Sequence, residues 1–190
     1  MRLIEHIQKH IRLNQIECEK LIPYFTTVNV KKKDFLLRAS QRCKAESFVL
    51  KGCFRTYAVD ENGYERTLLF SVEDWWVGDL LSFLTQQPSL YYIQAIEDAE
   101  VLQITKDRLE ELYLHIPKME RYFRLLVQNA YVTQLERINE RFSLPAEHRY
   151  LKFVEKYPGL MHRIPQKNIA SYLGITPVFL SMLRRKIGKS

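Results

Sequence analysis

Residues 164–187 read Ile-Pro-Gln-Lys-Asn-Ile-Ala-Ser-Tyr-Leu-Gly-Ile-Thr-Pro-Val-Phe-Leu-Ser-Met-Leu-Arg-Arg-Lys-Ile. Pro165 suits the first turn of a helix, where a missing N–H is harmless. Ile169, Ala170 and Leu173 form one apolar face, and Ala170 is small where a second helix must cross. Gly174 falls where the chain reverses tightly, a place for positive φ. Thr176-Pro177 reads as an N-cap followed by a first-turn proline. Leu180, Leu183 and Ile187 then give a second helix its buried stripe. Two short helices joined by a glycine turn make a helix-turn-helix; the alternative is an αα-hairpin with a purely structural role.

A second helix lying in a major groove would turn Pro177, Val178, Ser181, Met182 and Arg185 toward the bases. Only Arg185 can grip guanine with two hydrogen bonds, while Val178 and Met182 suit thymine methyl groups. Arg163, Lys167, Ser171, Thr176, Arg184, Lys186 and Lys189 are placed to anchor phosphates. The charge distribution agrees. Residues 1–144 hold 20 Lys and Arg against 20 Asp and Glu, so the net charge of +7 lies wholly in the last 46 residues. A neutral body with a basic tail points to a polyanion met by the tail alone, or to a solvated basic face.

The rest of the chain bounds its class. At 190 residues with 46% hydrophobic and 27% charged, it can bury a substantial core. No apolar run is long enough to span a membrane, and charges interrupt the N-terminus too often for a secretory signal. Cys18, Cys43 and Cys53 are scattered, which fits a reducing cytoplasm better than a disulfide scaffold.

Residues 3–22 follow a loose helical period that Pro23 ends. Short strand-like runs follow: Val28 and Val30, 34–37, 47–59 with Gly52 as a kink, 65–70, 91–96 and 100–104. Asn62-Gly63 between two such runs is a strong hairpin signal, since both residues tolerate positive φ. Short strands with polar turns read as a β-sandwich or barrel. Thr105 is a plausible N-cap for a helix over 106–114. From Pro117 to Phe142 no glycine or proline intervenes, so a helix on the order of 35 Å is expected. Met119, Phe123, Leu126 and Ala130 form its first stripe, which then drifts to Leu135, Ile138 and Phe142. More apolar positions than one narrow stripe favour a second copy as partner over a single-sided core helix.

This order of parts resembles the Crp/Fnr family of bacterial transcription regulators over nearly the whole chain. The resemblance rests on the Asn62-Gly63 hairpin, on Gly78-Asp79-Leu80-Leu81-Ser82-Phe83-Leu84, and on residues 164–187. It implies an α+β chain: an N-terminal jelly-roll (double-stranded β-helix) sensor domain over 1–115, a long dimerisation helix over 116–144, and a helix-turn-helix domain over 145–190 with no evident full wing after it. The second segment looks like the family's phosphate-binding cassette, in which backbone N–H groups face a cyclic phosphate and Asp79 would accept from a ribose hydroxyl. Gly78, Asp79, Leu80, Ser89 and Leu90 are then the candidate pocket. Members that bind cyclic AMP carry Arg-Ser or Arg-Thr where this chain has Ser89-Leu90. The charge-assisted partner of the phosphate is missing, which argues against cyclic AMP in the usual way. The effector is unidentified: a different small molecule, or none. Gly78 to Leu84 reads equally as a structural turn packing Phe83 and Leu84. Trp75, Trp76, Tyr91 and Tyr92 suit either a pocket or a core. The family's base-reading Arg-Glu pair is absent too, so the operator should differ from that of well-known members.

The functional expectation is a homodimeric, effector-responsive regulator reading a roughly palindromic double-stranded operator. The alternative is a ligand-binding or scaffold protein with a vestigial DNA-binding tail. An enzyme is not expected. The cupins, enzymes with this architecture, need clustered metal ligands, and residues 24–104 contain no histidine. Three dispersed cysteines do not suit an iron–sulfur cluster, while haem ligation by His6, His10 or His115 stays open.

Overall fold

The computed structural model describes residues 1–157 and 159–187. Two short helices, α1 (Arg2–Gln8) and α2 (Gln15–Leu21), precede the strands. Asn14 caps α2 reciprocally with Glu17, each side chain taking the other's backbone N–H. The strands are β1 (Thr26–Val30), β2 (Phe35–Leu37), β3 (Ala45–Lys51), β4 (Phe54–Val59), β5 (Glu65–Ser71), β6 (Trp76–Val77), β7 (Tyr92–Ala95) and β8 (Ala99–Thr105). They form two antiparallel sheets in the orders β1-β8-β3-β6 and β2-β7-β4-β5, the jelly-roll expected from the sequence.

Residues 47–59 are therefore two strands, one in each sheet. Gly52 makes the corner with φ of +100°, and a Cβ there would lie 2.5 Å from Ala99 Cβ. No side chain fits that approach, and L-residues seldom adopt that φ. The 62–63 hairpin forms as expected between β4 and β5, but only Gly63 has positive φ. Asp60 holds the turn instead: its carboxylate accepts the N–H groups of Asn62 and Tyr64.

Helix α3 (Leu80–Thr85) lies within the jelly-roll, and α4 (Lys106–His115) follows it. Thr105 precedes α4, but its side chain makes no capping bond. The uninterrupted segment is one 26-residue helix, α5 (Lys118–Ser143). After it come α6 (Ala146–Lys156), α7 (Leu160–Arg163), α8 (Gln166–Leu173) and α9 (Pro177–Ile187). The strand β6 and the single-turn α7 were not foreseen; both are too short to show a period.

There are two apolar cores. The larger fills the sandwich and continues through α1, α2, α4 and the start of α5, with Phe48, Phe54, Ile104, Leu112 and Tyr122 fully buried. The second joins the outer face of β4-β5 to helices α6–α9, setting Cys53 and Phe70 beside Phe153, Tyr157, Ile169, Leu173 and Leu180. Trp76 belongs to the first core and Trp75 packs on the second, while Tyr92 stacks on Tyr57 at 5.1 Å, so these aromatics pack. No helix among the described residues is long and apolar enough to cross a membrane.

Gly52→Ala is expected to destabilise the chain by roughly 1–3 kcal/mol from backbone strain alone, and more from the clash with Ala99. Urea unfolding of the variant beside wild type measures this.

Candidate nucleic-acid interface and cassette

Helix α8 ends at Gly174, whose φ is +67°, and Thr176 Oγ1 accepts the N–H of Phe179 to cap α9. Leu180 and Leu183 are buried, as the 3.6-residue period requires. The period then carries Val178, Ser181, Met182 and Arg185 onto one outward row. Val178 is 71% and Met182 54% exposed, Arg185 is exposed and Ser181 half-buried. Phe179, 40% exposed beside this row, was not singled out from the sequence.

The residues assigned to phosphate divide. Lys167 and Thr176 are exposed, and Arg184 is half-buried. Lys186 is exposed but pairs with Glu147 at 3.0 Å. Lys189 lies outside the described residues. Arg163 and Ser171 are corrections. The Arg163 guanidinium grips Glu73 with two hydrogen bonds (2.8 and 3.1 Å) and also pairs with Glu97. These carboxylates raise its pKa above the ordinary arginine value. Ser171 donates to the Glu65 carbonyl (2.8 Å) and accepts the Thr67 N–H (2.9 Å). Both side chains tie the helix-turn-helix to the jelly-roll and are not free for a duplex here.

The same interface contains Arg55, 5% exposed, which the sequence did not mark. It donates to Asn168 Oδ1 (2.9 Å) and Gln94 Oε1 (3.3 Å), pairs with Glu65 (2.8 Å) and lies over the Tyr57 ring. Asn168, on α8, is also buried.

On α5 the stripe assigned to a second copy needs correction. Met119 is fully buried in the jelly-roll core, and Phe123 and Leu126 pack against it. Ala130 is exposed. The unpartnered apolar face lies further along: Val127, Tyr131, Leu135, Ile138 and Phe142 are 43–88% exposed. At 100° per residue they fall within an arc of roughly 80°.

The cassette is folded in on itself. Asp79 and Ser89 are buried, and Ser89 Oγ donates to Asp79 Oδ2 at 2.6 Å, while the other oxygen accepts the Ser82 N–H that opens α3. Asp79 therefore has local partners for both oxygens. Beneath Gly78 lies Glu46; a Cβ on Gly78 would come 2.2 Å from its Oε2. Oε1 of Glu46 is buried without a hydrogen-bond partner among the described residues. Burial first, and then the Asp79 charge, push the Glu46 carboxyl up to about 8. Two acids, Glu46 and Asp79, thus stand at the place assigned to a cyclic phosphate. Leu90 is 74% and Leu80 37% exposed. Phe83 packs inward, but Leu84 does not, contrary to the structural-turn expectation.

A jelly-roll carrying a cassette, one long helix and a helix-turn-helix follow one another in that order along the chain. Residues 27–115 match the model of the cyclic nucleotide-binding domain. The chain is 24% identical over 174 residues to the regulatory protein HlyX of Actinobacillus pleuropneumoniae, covering 85% of this chain and 71% of that one. Among solved structures it is similar to the c-di-GMP-responsive global regulator CLP of Xanthomonas campestris (TM-score 0.74, 12% identity, 93% and 92% of the two chains). It is likewise similar to FixK2 of Bradyrhizobium japonicum (TM-score 0.75, 15% identity, 87% and 85%). The chain is thus similar over most of its length to regulatory proteins and shares the fold of solved regulators.

The Glu46 geometry sets a pH dependence. Its folded pKa lies above the unfolded value near 4.5, so the folded state binds more protons between these limits, and stability falls as pH rises from about 4.5 to about 8. Glu46→Gln should remove that slope and be more stable than wild type above pH 8. Urea unfolding at a series of pH values checks this, and parallel curves for the two proteins would refute it.

Proposed function

We propose that this protein is a DNA-binding transcriptional regulator that acts as a homodimer on a roughly palindromic operator and responds to a small-molecule effector. The division into a sensor over 1–115, a dimerisation helix over 116–144 and a DNA-binding unit over 145–190 belongs to the same reading. The observation that carries it is the outward row Val178, Ser181, Met182 and Arg185, on a helix whose opposite side is locked by Leu180 and Leu183. That row sits in the segment holding the chain's whole net charge of +7. The row presents one bidentate donor and two methyl-seeking apolar groups, a short code for a major groove.

The bare face of α5 supports a two-fold pairing. Val127, Tyr131, Leu135, Ile138 and Phe142 form a seam at near-heptad spacing, and pairing along it would fix the separation of two recognition helices. A second reading, a scaffold with a vestigial tail, is favoured by the engagement of Arg163 and Ser171 on the jelly-roll.

Duplex binding across a salt series separates the two, because only a phosphate-contacting regulator loses affinity steeply as salt rises. Arg185→Ala should cost about 1–3 kcal/mol on the preferred sequence and flatten sequence preference. Lys167→Ala should weaken every duplex alike and reduce the salt slope by about 1. Equal losses on all sequences for both variants would end this division of roles. Ile138→Glu should abolish the dimer in sedimentation equilibrium without unfolding the chain.

A further inference from the structure

Residues 78–90 themselves contain no lysine or arginine to meet an anionic effector, but another place in the molecule is rich in them. Between α5, α6 and α8 lies a cavity of about 350 Å³, whose lining carries five cations against three carboxylates. That volume falls in the range of small-molecule sites. It faces the side of α5 opposite the bare apolar seam.

The cations are poorly served by the protein itself. The Arg137 guanidinium lies over the Tyr172 ring at 4.2 Å, half-buried, with no hydrogen bond or carboxylate pair to any described residue. Burial lowers its pKa from the ordinary arginine value, the mark of a charge short of partners. Lys156 is also lowered, first by burial and then by Arg137, and its ammonium lies 5.9 Å from the Trp75 and Tyr157 rings. Arg149 donates to the carbonyls of Arg141 in α5, of Leu144 just after it and of Leu173 at the end of α8, while its Nε is buried with no partner among the described residues. Among the described residues, Lys152 alone of the five cations has a carboxylate partner, Glu140 at 2.6 Å. With that pair set aside, the lining keeps a net charge of two positive units.

Taking the regulator reading as its basis, we propose that this cavity is the effector site and that it takes a small dianion, a phosphate ester or a dicarboxylate. Guanidinium forks match the paired oxygens of either group. Such a ligand would bridge Arg137 on the long helix to Arg149 and Lys156 on α6. It would span the bend at 143–145 that sets the helix-turn-helix against the dimer helix. The ligand's preference for one bend angle would then be its lever on operator affinity.

Isothermal titration and thermal unfolding of the full chain, with pyrophosphate, succinate or chloride at matched ionic strength, test this. Saturable binding of one dianion per chain is expected from pyrophosphate or succinate, the stronger of the two naming the ligand class, with chloride inert. Arg137→Gln should weaken it at least tenfold, while Arg121→Gln, on an exposed basic surface elsewhere, should change it less than twofold. If Arg137→Gln does not keep the wild-type circular dichroism spectrum, Lys156→Gln carries the same expectation. No saturable binding by either dianion, or equal loss in the Arg121 variant, overturns the site. Specific duplex binding without dianion binding overturns this inference alone; dianion binding without duplex binding overturns the regulator reading and leaves the site standing.

Discussion

The guanidinium of Arg55, near the start of β4, is a buried charge, and the arrangement of the two halves depends on it. Desolvating it costs several kcal/mol unless its donors are filled. Its fillers come from both sides: Glu65 and Gln94 from the jelly-roll, Asn168 from α8. The helix-turn-helix cannot lift away without stripping Asn168 from that charge. Around it the aromatic rings of Phe70, Phe153, Tyr157 and Tyr172 interlock at centroid distances of 5.1–6.4 Å. Arg163 closes the far edge on Glu73, whose Oε1 also accepts the N–H of Gly52 at the sheet corner. Apolar packing supplies the attraction and the polar pairs fix the register.

What could be read from the sequence was local. Gly174, Leu180 and Leu183 announce the helix-turn-helix because their roles are set within one turn of helix. The hairpin at 62–63 and the breadth of the α5 pattern are legible for the same reason. The interface was not: Arg163 finds Glu73 across 90 residues and Ser171 finds Thr67 across 104. A serine or arginine carries no periodic mark of such a partner, and on a basic helix-turn-helix a phosphate was the obvious assignment. Met119 was misread because its stripe and the stripe of Leu135 and Ile138 lie on one continuous helix. The change from a packed face to a bare one happens where α5 leaves the jelly-roll, a boundary set by the sandwich and not by the helix.

The cassette shows the same division between local and distant. Gly78-Asp79 opens α3 as its sequence indicates, with Asp79 on the Ser82 N–H. The acid beneath it, Glu46, comes from another strand and was invisible from the motif. Its carboxylate occupies the place where a side chain on residue 78 would stand. A side chain at 78 would have to push that carboxylate aside, whatever the pocket holds. The missing arginine and the added acid act in one direction: both lower the attraction for a negatively charged guest.

Cys53 is fully enclosed in the seam between the jelly-roll and the terminal helices, and its thiol is pushed up to about 12, mainly by burial. A thiol so protonated and shielded does not meet an alkylating reagent while the seam is shut. Its rate of labelling therefore counts the moments at which the two halves part. The chain carries its own stopwatch for undocking, placed there by packing alone.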